Sequence, residues 1–219
     1  MRPSDRTLGA ALLGSVAVFL GLYVTAIALY PGGTWFDRHA PGYDLLRNFV
    51  CDLTQPIALD GRANRLGSMF GKASMLALDA GLSVHFLGAL RLGRPTPRMA
   101  RAIRVAAAFS FVGIAAVPLL PSLEVGVLHS IAVLVGTSAG LLAGGFAITV
   151  LAGSPYRRIA RLGMAMFATA FVDAGIYAWS TFVSGATPLA LPVIQRLALV
   201  LLVAWLASVG VALISRERP

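Results

Sequence analysis

The chain has 219 residues, of which 58% are hydrophobic and only 12% charged, whereas a soluble domain carries about 25% charged residues. That is too little polar surface to coat a water-soluble globule, and with a mean hydropathy of +0.81 the chain reads as integral to a membrane. The net charge of +9 does not point to nucleic acid, because the arginines gather beside apolar runs, where topology signals lie. A single cysteine, Cys51, excludes an intrachain disulfide, a CxxC redox pair and a thiolate metal cluster.

Six apolar runs follow one another, over about residues 8–30, 67–90, 102–120, 125–151, 162–183 and 189–214, each close to the roughly 20 residues that cross a bilayer. They predict an all-α integral membrane protein, a six-helix bundle forming one transmembrane domain over residues 1–219. The first run is too long for a signal-peptide core and has no small-residue cleavage site after a short one, so it is expected to be retained as a span. Alternate connections segregate charge. One set, with the two termini, carries Arg2, Arg6, Arg91, Arg94, Arg98, Arg101, Arg104, Arg157, Arg158, Arg161, Arg216 and Arg218. The other carries Arg38, Arg47, Arg62 and Arg65 against Asp37, Asp44, Asp52, Asp60 and Glu124. The positive-inside rule then places both termini in the cytoplasm and the first connection outside.

That first connection, of roughly 35 residues, is long for a compact bundle. It contains PGYDLLRNFVCDLTQ at residues 41–55. Tyr43, Leu46, Phe49, Val50 and Leu53 recur at helical spacing, which predicts a short amphipathic helix over residues 44–53, ended by Pro56. On it Asp44, Asn48, Cys51 and Asp52 fall on roughly one side.

Lys72, Asp79 and Asp173 lie within spans, His129 and Arg196 near outer ends, and His85 near an inner end. A charge at mid-bilayer costs about 2.5–3.5 kcal/mol on insertion scales, so such groups normally face a partner or water. Lys72, Asp79 and Ser83 share a helix face at i, i+7 and i+11, and Asp173 and Tyr177 stand at i and i+4. A shared polar pocket beneath the outer surface is the economical expectation. In it Asp52, Asp79, His129 and Asp173 are the candidates for acid–base or metal-ligating roles. Asp44, Arg47, Asn48, Cys51, Lys72, Tyr177 and Arg196 are the candidates for ligand binding. Plain roles compete with these: an ion pair of Lys72 with Asp79 or Asp173, snorkelling of Lys72 and Arg196, structural hydrogen bonds at His85 and His129, and simple packing at Cys51. The stripe Gly136, Gly140 and Gly144 predicts close helix packing, either within the chain or in a homo-oligomer.

No phosphate-binding loop, dinucleotide-binding glycine motif or HExxH is present. Three readings stay open: a protein binding a lipid head group or other amphiphile, a membrane hydrolase with or without a metal, and an ion- or proton-coupled transporter.

The stretch PGYDLLRNFVCDL, followed by ALDGRANRLGS, resembles a bacterial family of six-helix membrane proteins known as domain of unknown function 998. In that family a segment N-x-x-S-D-L follows the first span. Asn48, Cys51, Asp52 and Leu53 occupy those places, with cysteine where serine is usual. The resemblance implies the six-span layout and a bacterial cytoplasmic membrane, and it carries no activity. A fainter likeness links the segment to alkaline-ceramidase-like hydrolases, which hold zinc with three histidines beside a serine and an aspartate. Here His129 and His39, with Asp79 and Asp173, are the only groups to set against that pattern.

Overall fold

The computed structural model describes residues 3–216; Arg2 and Arg218 lie outside the described residues. Six long helices carry the six apolar runs: α1 (Asp5–Leu29), α2 (Arg65–Gly93), α3 (Pro97–Leu119), α5 (Val127–Ala152), α6 (Arg157–Trp179) and α7 (Leu191–Arg216), with one short turn of helix, α4 (Ser122–Val125). All six are long and apolar enough to cross a membrane. Their ends follow local chemistry. Ser4 caps α1 by accepting the Thr7 amide at 3.0 Å, and Thr96 caps α3 with Pro97 in its first turn, where no amide is needed.

Each long helix packs on the next, and α7 closes back on α1, so the six form a ring; α2 reaches across it to α5 and α7. At one end, the terminal end, Arg91 of α2 and Arg216 of α7 converge on Asp5 of α1, at 3.6 and 3.3 Å. The start of α1 and the end of α7 therefore lie on the same side. The centre of the ring is filled by Trp205, which is fully buried. Gly144 and Gly163 leave room for its ring, and His85 stacks edge-on against it at 4.1 Å.

The glycine stripe of α5 is used inside the chain. A Cβ at Gly136 would stand 2.7 Å from the Ile114 amide nitrogen of α3, one at Gly140 would meet Ser110, and Gly144 faces Trp205. These close approaches are what small residues permit. A second copy would have to use another face.

The connection over residues 30–64 folds onto the opposite end, the loop end. It is not the amphipathic helix expected over residues 44–53. Residues 44–48 make a single turn, Phe49 is extended (φ −80°, ψ 159°), and Val50–Thr54 form one 3-10 turn. The reason is competition from side chains. Asn48 Oδ1 accepts the Asp44 amide at 2.9 Å, and Asp52 Oδ2 accepts the Phe49 amide at 2.8 Å. Both bonds favour turns over a continuous helix. Phe49, Val50 and Leu53 still turn inward, while Leu45 and Leu46 are exposed.

The 3-10 turn is seated in a slot made by one glycine. A Cβ on Gly71 of α2 would overlap the Leu53 carbonyl, 2.7 Å from its carbon. Backbone cannot yield as a flexible side chain can, so Gly71→Val should displace the loop and cost about 1–3 kcal/mol as an overpacked site. Thermal unfolding in detergent checks this, and Gly14→Val, which meets nothing within 4 Å, is the control expected to leave stability nearly unchanged.

Candidate functional site

The loop is held by one buried acid and by two residues of α7. Asp52 has no solvent exposure. Its Oδ1 accepts the Trp35 indole N–H at 3.0 Å, and its Oδ2 accepts Asn48 Nδ2 at 3.0 Å and the Phe49 amide at 2.8 Å. Burial nonetheless lifts the carboxyl to about 6, with those three donors and the charge of Arg196 pulling the other way. From α7, Gln195 Oε1 accepts the Val50 amide at 2.8 Å. Arg196 donates to the Asn48 carbonyl at 2.7 Å, to the Leu45 carbonyl at 3.2 Å and to the Tyr43 hydroxyl. Its guanidinium also lies over the Tyr23 and Tyr43 rings, at 5.9 and 5.3 Å. Gln55 ties the far side to α4, donating to Ser122 Oγ at 3.0 Å.

Beneath this roof is a cavity of about 290 Å³. Its walls come from the 3-10 turn (Val50, Cys51), α2 (Met75), the end of α3 (Val117), the start of α5 (His129, Ser130, Val133), α6 (Tyr177) and α7 (Leu191, Gln195). Most of the wall is apolar. Polar groups enter from several elements, Ser122 of α4 and Gln195 of α7 among them: Ser130 Oγ and Tyr177 Oη share a hydrogen bond of 2.9 Å, and Ser180 and Thr181 line the cavity from a π turn. That turn spans Ser180–Ser184 and closes with the Gly185 amide on the Ser180 carbonyl at 3.0 Å. Gly185 has φ +67°, a left-handed value that suits glycine. π turns of this kind are frequent at functional sites.

His129 also serves the frame. Its Nδ1 lies 2.5 Å from the Leu120 carbonyl, and a carbonyl only accepts, so this nitrogen carries the proton. The bond satisfies an acceptor left open where α3 ends after Pro118. Cys51 is half-buried on the wall. Burial and then the Asp52 carboxylate push its thiol well above the ordinary range; Asp173 adds to this and Arg196 opposes it. Cys51 is thus not a nucleophile prepared by a lowered pKa.

The loop-end cavity brings some of the candidate residues together and leaves others apart. Cys51, His129 and Tyr177 line it. Asn48 and Asp52 form its roof and are fully buried. Asp173 stands one turn from Tyr177 on α6 but is not in the wall; its Oδ1 is buried and without a protein partner. Four more candidates are elsewhere. Asp44 and Arg47 face solvent as an exposed pair at 3.8 Å. Lys72 and Asp79 are not in the wall, and among the described residues Lys72 has no carboxylate within 4.0 Å, so the ion pair with Asp79 or Asp173 is not made. Both oxygens of Asp79 are buried without a protein partner, as are both ring nitrogens of His85. Arg196 anchors loop backbone instead of entering the cavity. Sequence reasoning missed Gln55 and Gln195. The signal available for Gln195 is a lone amide at an apolar helix start.

Among the described residues no three histidine, cysteine or acidic side chains lie together as a metal site. The zinc set suggested by the hydrolase likeness is therefore not assembled: a catalytic zinc takes three protein ligands. Comparison with family models, with curated proteins and with solved structures gives no match to this chain.

Asp52→Ala would leave the Trp35, Asn48 and Phe49 donors unpaired in a buried place. At about 1–3 kcal/mol for each, stability should fall by on the order of 3 kcal/mol or more, read by unfolding in detergent. The pH dependence has a definite sign. A folded-state value of about 6, raised from the ordinary 3.8, means that the fold favours the protonated acid. Its contribution to stability is full below pH 4 and is lost as pH rises through about 6. Asp52→Asn, which cannot ionise, should remove that part of the slope between pH 4 and 6.

Proposed function

We propose that this chain is a multi-pass protein of a bacterial cytoplasmic membrane, with both termini in the cytoplasm, and that it binds an amphiphile such as a lipid head group in the loop-end cavity. The orientation is supported by charge: the terminal end collects Arg91, Arg94, Arg98, Arg157, Arg158 and Arg161 around its turns, as the positive-inside rule requires of a cytoplasmic face. The loop end then lies at the outer surface. The observation that carries the binding reading is the cavity itself. It is a largely apolar concavity of about 290 Å³ with polar groups such as Ser122, Ser130, Tyr177, Ser180 and Gln195 in its wall, near the lower size for small-molecule sites. Its rim carries the exposed side chains Trp35 and Val127, suited to a bilayer interface. Native mass spectrometry of the protein exchanged against a total polar lipid extract should retain a bound amphiphile. Val133→Trp, which fills the cavity, should reduce that occupancy at least tenfold without unfolding the bundle. Equal occupancy in the two proteins would contradict the assignment.

A second reading, proton-coupled transport, draws on Asp79. Its carboxyl is 2% exposed and unpaired, and an intramembrane acid in that state is a candidate proton carrier. On α2 it falls between Met75, which lines the loop-end cavity, and Leu82, which lines a smaller apolar cavity lower in the bundle. In liposomes loaded with a pH-sensitive dye and driven by a potassium diffusion potential, this reading expects proton entry above that of empty vesicles, abolished in Asp79→Asn. Entry equal to that of empty vesicles would remove it.

A further inference from the structure

The terminal end carries a second concavity, which shares no residue with the loop-end cavity. A groove of about 370 Å³ runs between α2 and α3. Leu87 and Phe111, which line it, are 45% and 44% exposed. The groove therefore opens outward, and around a pair of membrane-spanning helices the outside is lipid. Phe86, Leu90 and Ile103 make its bed apolar. Two polar side chains interrupt that lining, Ser83 of α2 and Arg104 of α3. Neither side chain has a hydrogen bond or an ion pair among the described residues.

Arg104 is seven residues inside the start of α3 at Pro97, about 10 Å along the helix axis. Val105, Phe109 and Phe111 near it are exposed apolar side chains. A guanidinium on such a surface needs an anion, and no carboxylate of the described chain stands within 4.0 Å. Extending toward the interface carries it to the lipid phosphates. The surroundings add to the same charge. Arg94, Arg98 and Arg101 are exposed and likewise have no carboxylate within 4.0 Å. Among the described residues Asp5 is the only acid at this end, and it already receives Arg91 and Arg216. A long apolar groove thus ends beneath a cluster of unneutralised arginines.

We infer that this groove binds one anionic phospholipid from the leaflet at the terminal end, with its phosphate on Arg104 and an acyl chain along Phe86, Ile103 and Phe111. Guanidinium and phosphate form paired, charge-assisted hydrogen bonds, and basic pockets between spanning helices suit anionic head groups. Ser83 is ten residues inside the end of α2 at Gly93, roughly 5 Å deeper than Arg104 by helical rise. Its free hydroxyl is placed to donate to an ester carbonyl of the same lipid. A zwitterionic head would instead bring its ammonium toward Arg98 and Arg101. This site is separate from the loop-end cavity and does not depend on what that cavity binds.

Native mass spectrometry of the protein equilibrated with equimolar dioleoyl phosphatidylglycerol and dioleoyl phosphatidylcholine tests this. One phosphatidylglycerol should be retained at least fivefold over phosphatidylcholine. Arg104→Gln, a change at an exposed position, should lower that retention at least fivefold, and Arg104→Lys should restore part of it. Arg161→Gln, at an exposed arginine near the start of α6, should leave it unchanged. Ala108→Trp, which fills the groove and keeps every charge, should lower it as much as Arg104→Gln does. Equal retention of the two lipids by the unaltered protein, or equal losses from Arg104→Gln and Arg161→Gln, would reduce the arginines to a general surface charge and overturn the site. Displacement of the lipid by excess glycerol phosphate would make a soluble phosphate the ligand and overturn the lipid assignment. Val133→Trp, which closes the loop-end cavity, should leave phosphatidylglycerol bound; its loss there, with Arg104→Gln unaffected, would place the lipid under the roof and overturn the groove.

Discussion

One buried carboxylate organises the loop end of this molecule. Asp52 gathers an indole N–H, a side-chain amide and a backbone amide onto two oxygens, and by doing so fixes Trp35, Asn48 and the 3-10 turn relative to one another. Without it the segment between α1 and α2 would be a long surface connection over an apolar bundle. With it the segment becomes a roof with a defined underside. Buried polar groups must be paired to be tolerated, so satisfying this acid and shaping the roof are one event.

The roof would still be loose if it were bonded only to itself. Gln195 and Arg196, consecutive residues near the start of α7, hold its backbone at Val50, Asn48 and Leu45. Gly71 lets the Leu53 backbone approach α2 closely enough to close the opposite edge. α7 itself packs on α1, α2 and α6, so the loop is tied to a helix that three others hold in place. The cavity beneath is what remains between this roof, the π turn after α6 and the short α4. Its polar groups arise where chain segments end or change helical pitch, which frees hydroxyl groups from the regular packing further down.

The spans were legible because burial in hydrocarbon leaves a plain mark: runs of about 20 apolar residues bounded by proline, glycine and arginine. The loop was legible only in part. Its apolar spacing matched a helix, and Phe49, Val50 and Leu53 do face inward. Yet Asn48 and Asp52 bond to neighbouring backbone, and that competition carries no periodic signature. The charged residues show a similar limit. Spacing places Lys72 and Asp79 on nearly one face of α2, and both are indeed on it, but spacing on one helix does not say which neighbour that face meets. Of Asp173 and Tyr177, only Tyr177 reaches the cavity wall; Asp173 lies one turn away on α6 and outside it. The glycine stripe announced close contact without naming its partner, which is α3 and Trp205 of the same chain. Gln195 escaped notice because a neutral amide leaves no trace in charge or hydropathy patterns.

The cavity exists only if the roof is as fixed as the helices that carry it. Hydrogen exchange of the protein in lipid nanodiscs, read residue by residue, measures this directly. The amides of Phe49, Val50, Asp52 and Gln55, each with a bonded acceptor, should be protected to nearly the level of α1 and α2, and Asp52→Ala should release them together while the spans stay protected. Exchange at unstructured rates across residues 44–55 in the unaltered protein would mean that the roof, and the cavity it defines, do not persist.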